Sequence, residues 1–215
     1  FTDAFGLTDG SVISFGKIRA SWAQVGLGSP FLYATDDYYT LGFHADGWTD
    51  GVSFPFLGVN AFALNNVLGN PELRPEKNTQ FEVGTDLRFL NNRLGIDFTY
   101  YTSRSTDLIF LVPVAGSTGF TDGVFNAGEM VNKGIEVVLN ANPLRFGSFN
   151  WNTTVNFTRN QNEVVSLAEG VENIFIGGFL GSSIRAEEGE SYGTIFGYGF
   201  YRDASGAMVI GQDGF

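Results

Sequence analysis

Residues 80–101 read QFEVGTDLRFL, an Asn91-Asn92 step, then RLGIDFTYY. Phe81, Val83, Thr85, Leu87 and Phe89 alternate with Gln80, Glu82, Gly84, Asp86 and Arg88. After the step, Leu94, Ile96, Phe98 and Tyr100 alternate with Gly95, Asp97, Thr99 and Tyr101. Side chains alternate faces along a strand, so each half has one oily and one polar face. Asn-Asn suits a type I′ hairpin turn, which needs positive φ at both central positions. The predicted register pairs Phe89 with Leu94, Leu87 with Ile96, Thr85 with Phe98 and Val83 with Tyr100. Both oily rows then share one side of the sheet, and a one-residue slip would destroy that. Asp86 and Asp97 come opposite each other, an unfavourable pair, with Arg88 diagonal to Asp97 and placed to offset it.

Three more segments extend the pattern. Ile18, Ala20 and Trp22 alternate with Lys17, Arg19 and Ser21 inside a predicted strand at 12–25. Ile135, Val137, Leu139 and Ala141 alternate after Gly134, and Phe149, Trp151, Thr153, Val155 and Phe157 alternate with a row of Asn and Thr. The connections are unequal. Asn91-Asn92 and 142–148 are short; 28–76, 108–133 and the stretch from Gln161 onward are long. Alternating short turns and long loops fit an up-and-down transmembrane β-barrel with periplasmic turns and extracellular loops. In that plan 12–25, 94–104 and 149–158 run outward and 80–90 and 134–141 run inward. Phe89, Phe149 and Trp151 would sit near a periplasmic aromatic girdle. A soluble β-sandwich also alternates. The Asn/Thr polar row, nearly free of Lys and Glu, suits a wet lumen better than an open surface.

Composition narrows the chemistry. The 215 residues carry 12 Lys plus Arg against 23 Asp plus Glu, a net charge of -11. Nucleic acid is excluded as a partner, because phosphate contacts need clustered cations. With no cysteine there is neither a disulfide framework nor a thiolate metal site. No apolar run is long enough for a membrane helix, but barrel strands need only about 9–11 residues.

Six blocks in order are similar to the SusC/RagA-like TonB-dependent outer-membrane transporters of the Bacteroidetes type. They are GKIRASWAQVG from Gly16, GNPELRPEKNTQFEVGTD from Gly69, NNRLGIDFTYYTSRSTDLI from Asn91, NAGEMVNKGIEVVL from Asn126, WNTTVNFTRNQNEV from Trp151 and EEGESYGTIFGYGF from Glu187. The resemblance is to the later half of the barrel. It implies a bacterial outer-membrane location, a 22-stranded barrel with an N-terminal plug, and energy from the TonB complex. It also implies a SusD-like surface lipoprotein as partner and an oligosaccharide or peptide substrate. On this reading residues 1–215 are a partial barrel domain, an internal fragment without plug, TonB box or terminal strand. Residues 28–76 form one extracellular loop and 108–133 a second. Phe215 lacks the aromatic alternation expected before a terminal barrel strand, since Val209, Gly211 and Asp213 precede it. The oily face, from Phe81 and Trp151 to Val137 and Phe157, would meet outer-membrane lipid.

No catalytic or metal constellation emerges, and no cofactor is implied. His44 is the sole histidine, too few for zinc without cysteine, and no nucleophile elbow surrounds a serine. Asp36, Asp37, Asp46 and Asp50, and Glu187, Glu188 and Glu190, lack ordered calcium-loop spacing and read as solvated carboxylates. Gly26-Leu27-Gly28 and Gly177-Gly178 do not continue into phosphate-loop patterns. The first long loop holds Tyr33, Tyr38, Tyr39, Phe43, Trp48, Phe54 and Phe56. Rings beside Asp and Asn suit sugar stacking, and Tyr38, Tyr39 and Trp48 are the substrate-contact candidates; packing into a loop cap is the competing role. Besides the non-enzymatic transporter, a soluble secreted β-sandwich binding module or adhesin stays open, as does a β-rich glycoside hydrolase.

Overall fold

A computed structural model describes residues 12–45, 48, 50–179 and 181–209. The strands are, in order, β1 (Ile13–Leu27), β2 (Tyr39–Leu41), β3 (Phe43–His44), β4 (Val52–Ser53), β5 (Phe62–Leu64), β6 (Val67–Leu68) and β7 (Glu76–Phe89). They continue with β8 (Leu94–Pro113), β9 (Asp122–Phe146), β10 (Phe149–Leu167), β11 (Asn173–Phe179), β12 (Ser182–Glu187) and β13 (Thr194–Gly197). The main sheet is an antiparallel meander in the order β1-β7-β8-β9-β10, with β6 added parallel to β9. It is open, with β1 and β10 at its edges. A second sheet orders β11-β12-β13, and two small pairs, β2-β5 and β3-β4, lie in the first long loop.

The central hairpin has the register that alternation dictates: Phe89 faces Leu94, Leu87 faces Ile96, Thr85 faces Phe98 and Val83 faces Tyr100. Asn91 and Asn92 take φ of 54° and 63°, and Arg93 N–H donates to the Leu90 carbonyl at 3.2 Å. That is the type I′ geometry asparagine tolerates. Between β9 and β10 only Gly147 and Ser148 turn, with Gly147 at φ 55°. Pro143, expected in the turn, lies instead within β9, where Ala141 and Leu144 face Thr153 and Trp151 across a bulge. A bulge is where a strand accommodates a residue without an N–H.

The stretch 108–133, expected as loop, is mostly paired strand. Pairing continues to Pro113 and resumes at Asp122, leaving 114–121 as the connection. The strands run on because both their faces are covered. Val112, Ala127, Val164, Ile174 and Ala186 form one buried cluster, supported by Phe110 and Phe125. Ile109 and Val124 form another with Ala34 of the first long loop, supported by Leu111 and Val67. Alternation along β8 puts these clusters on opposite faces. The first long loop therefore covers one side of the β8–β9 extension, and the β11–β12 hairpin covers the other.

Candidate functional site

The oily face forms a belt across five strands. One hydrogen-bonded row reads Ile18, Thr85, Phe98, Val137, Phe157; the next towards the turns reads Gly16, Leu87, Ile96, Leu139, Val155. Among the described residues no second sheet covers this belt, and Ile18, Trp22, Phe81 and Phe157 stay exposed. A soluble sandwich would pack a sheet there. At the turn end Phe146 and Phe149 stack with ring centroids 5.1 Å apart, beside exposed Trp151. At the other end the belt finishes at Trp22, Phe81, Tyr100, Ile135 and Phe157, a second and largely aromatic rim. Two aromatic rims flanking an apolar band are the mark of a membrane-spanning barrel wall.

The far rim slants. Trp22 and Phe81 share a row; Tyr100 and Ile135 share the row one step nearer the turns; Phe157 lies one step further down. The drift is about one residue per strand. With a rise of about 3.3 Å per residue and strands about 4.8 Å apart, the strands tilt about 35° from the belt's normal. Closed barrels need a tilt of about that size. The 25 residues of β9 extend about 80 Å along the strand, far beyond a belt about 25 Å tall.

The polar face carries two cross-strand straps, each laid over a glycine. Arg19 of β1 crosses Gly84 of β7 to reach β8. Its Nη1 donates to Asp97 Oδ2 at 2.9 Å and its Nη2 to Oδ1 at 2.7 Å, and Nη2 also donates to Thr99 Oγ1. A Cβ on Gly84 would meet the Arg19 guanidinium at 2.8 Å. One row further, Tyr101 of β8 crosses Gly134 of β9, and its Oη accepts from Asn160 Nδ2 of β10 at 3.1 Å. A Cβ on Gly134 would lie 2.6 Å from the phenol.

Arg19 corrects the expected partnership. Asp86 and Asp97 do face each other, but Arg88 does not serve Asp97. It binds Asp86 on its own strand at 3.2 Å, its guanidinium 5.0 Å from the Phe15 ring centroid. The usable signal was a strand-interior glycine, which permits a neighbour's long side chain to lie flat. Arg19→Ala is expected to cost about 1–2 kcal/mol, since it removes a bidentate charge-assisted contact that is partly solvent-screened. Arg88→Ala should cost about 0.5 kcal/mol or less. Thermal unfolding of the full-length protein in detergent checks the pair; equal losses would refute the assignment.

At the outer end the first long loop is tied down beside the β8 bulge, where Asp107 has φ 57°. Asn126 Nδ2 donates to the carbonyls of Arg74 and Asp107 at 2.8 Å each, and Arg74 N–H donates to Asn126 Oδ1 at 2.9 Å. Ile109 N–H donates to Glu76 Oε1 at 2.8 Å, and Arg74 pairs with Asp107 at 2.9 Å.

This loop separates the three aromatic candidates. Tyr38 packs on Tyr33 with centroids 5.0 Å apart and lines a hollow of about 260 Å³ with Phe31 and Leu111. Tyr39, the next residue, points away on β2 and is 72% exposed, and Trp48 is 92% exposed. His44 pairs with Val52 between β3 and β4. Asp46, Gly211, Asp213 and Phe215 lie outside the described residues. Among the described residues no cluster of His, Asp and Glu forms a metal site.

Belt, rims and tilt define a wall segment of a membrane-spanning β-barrel. The chain belongs to the family described as TonB dependent receptor-like, beta-barrel, whose model matches residues 6–186. TonB-dependent receptor P39 of Formosa agariphila is 35% identical over 182 residues, covering 85% of this chain and 16% of that protein. TonB-dependent receptor SusC of Bacteroides thetaiotaomicron is 28% identical over 172 residues, covering 76% and 16%. Among solved structures, the RagAB peptide importer in its closed-closed state matches with TM-score 0.71 and 21% identity, over 97% of this chain and 23% of that one. The chain thus spans about a sixth of the length of these curated relatives. The family is one of outer-membrane receptors and transporters, not of enzymes, which removes the sandwich and hydrolase alternatives.

Proposed function

We propose that this chain supplies wall strands and external loops of a TonB-dependent transporter importing oligosaccharides or peptides across the outer membrane. The observation that carries the reading is the slanted apolar belt, continued beyond its far rim by a strand extension that the first long loop, with exposed Tyr39 and Trp48, covers on one side. In this reading residues 1–215 are part of a barrel domain, with 28–76 and the connection within 108–133 on the extracellular side. The TonB complex supplies energy, and a SusD-like lipoprotein serves as partner. Likeness to SusC supports the TonB-dependent receptor class, and the fold shared with the RagAB peptide importer is compatible with a peptide cargo.

The test is uptake by cells carrying the full-length protein, with labelled oligosaccharide and peptide mixtures offered in parallel. Uptake of one class, abolished by deleting TonB, is the expected result. Uptake unchanged by TonB deletion would refute the proposal. Within that protein, a Tyr39→Ala/Trp48→Ala double variant is expected to weaken substrate binding about tenfold, as loss of exposed ring contacts does elsewhere. Tyr38→Ala should loosen the loop while leaving affinity within about twofold, because its ring packs on Tyr33. Titration calorimetry in detergent separates the two.

A further inference from the structure

The β11-β12-β13 sheet uses its two faces differently. Ile174 and Ala186 point into the buried cluster against β8 to β10. Phe175 and Arg185, one residue away on each strand and paired across them, occupy the opposite face. That free face holds a hollow of about 480 Å³, the size range of small-ligand sites. Gly178, Gly181 and Gly197 line it, and at Gly181 and Gly197 a Cβ would meet nothing closer than 3.5 Å. Phe179 and Tyr198, 88% and 94% exposed, flank it with Phe196.

The hollow contains a single cation, fixed by neutral groups. Arg185 Nε donates to Ser183 Oγ at 2.9 Å and Nη1 to Asn173 Oδ1 at 3.3 Å, and the guanidinium lies 5.0 Å from the Phe196 ring centroid. Those bonds use two of the five N–H donors a guanidinium has, so roughly three stay available. Among the described residues no carboxylate lies within salt-bridge distance of it, so none competes for those donors. A pre-oriented guanidinium is suited to a planar carboxylate, and flanking rings suit a flat apolar face.

We propose that this hollow binds a carboxylate carried next to a flat apolar face of the substrate, with Arg185 as the anion contact and Phe179, Phe196 and Tyr198 as stacking walls. The inference rests on the transporter reading, but its test does not. An acidic sugar and a peptide carboxyl terminus share this chemistry. The full-length protein in detergent is titrated with tri-galacturonate and its methyl ester, and with a short peptide ending in phenylalanine and its C-terminal amide. One of the two acids should bind at least tenfold tighter than its neutral form, which identifies the source. Arg185→Gln should abolish that preference without weakening the neutral form, and Phe179→Ala, at an exposed site, should weaken both forms. Equal binding of acid and neutral forms, no binding of either acid, or an unchanged preference in Arg185→Gln overturns the proposal. TonB-dependent uptake of a neutral substrate with no acid preference would sink the hollow and spare the transporter; acid binding without uptake would do the reverse.

Discussion

Gly134→Val is expected to destabilise the full-length barrel by about 3 kcal/mol and to lower its outer-membrane level severalfold. Even the first carbon of the new side chain would sit 2.6 Å from the Tyr101 phenol and 2.6 Å from the Arg159 carbonyl. The carbonyl belongs to the sheet and cannot retreat, so the Tyr101 ring must leave. It then loses its bond from Asn160, and overpacking of this kind costs about 1–3 kcal/mol before the lost contact is counted. Gly95 supplies the control: the nearest atom to a Cβ there is 3.8 Å away, so Gly95→Ala should change little. Adding Tyr101→Ala to Gly134→Val should recover part of the loss, a coupling that a double-mutant cycle measures. Heat-modifiability on gels gives the readout, and equal behaviour of the two glycine variants would refute the strap.

Leu139→Arg is expected to cost about 2–4 kcal/mol, the penalty for a cation at the middle of a lipid-facing barrel surface. Leu139 lies two steps inside the Ile135 rim, between Ile96 and Val155. Gln24→Arg, on the same face but beyond the Trp22 rim and opposite Thr79, should stay within about 0.5 kcal/mol. Unfolding by urea in lipid vesicles compares the two. If both are harmless, the belt does not meet lipid.

The parts of the fold legible in the sequence were those fixed by local rules. Residues 80–101 carry alternation on both sides of an Asn-Asn turn, so the hairpin register followed from one pattern checked against another. Arg19 was not legible as the partner of Asp97. The register of β1 on β7 is set across the long 28–76 connection, and no turn chemistry constrains it. The β8–β9 extension escaped for a different reason. Covered on both faces, its run from Leu108 to Val112 is continuously apolar, and such a run has no period to mark it as strand. Bulges between Ser105 and Ile109 then shift the parity that alternation relies on.

The same limits governed the site. Tyr38 and Tyr39 look interchangeable as letters in an aromatic loop. Adjacent residues entering a strand face opposite ways, so Tyr38 packs on Tyr33 while Tyr39 meets solvent. Arg185 gave no signal in the sequence, because its place in a ring-walled hollow is set by the pairing of β11 with β12.

The slant of the belt makes the wall its own depth gauge. Trp22, Phe81, Thr102, Lys133 and Gln161 are bonded neighbours in one row, yet a walk along them leaves hydrocarbon and enters water. In a full-length protein otherwise free of cysteine, a spin label at each position in turn would report alone. Oxygen accessibility should fall and aqueous-quencher accessibility should rise from the first label to the last, and that gradient would fix how the segment is leaned within the bilayer.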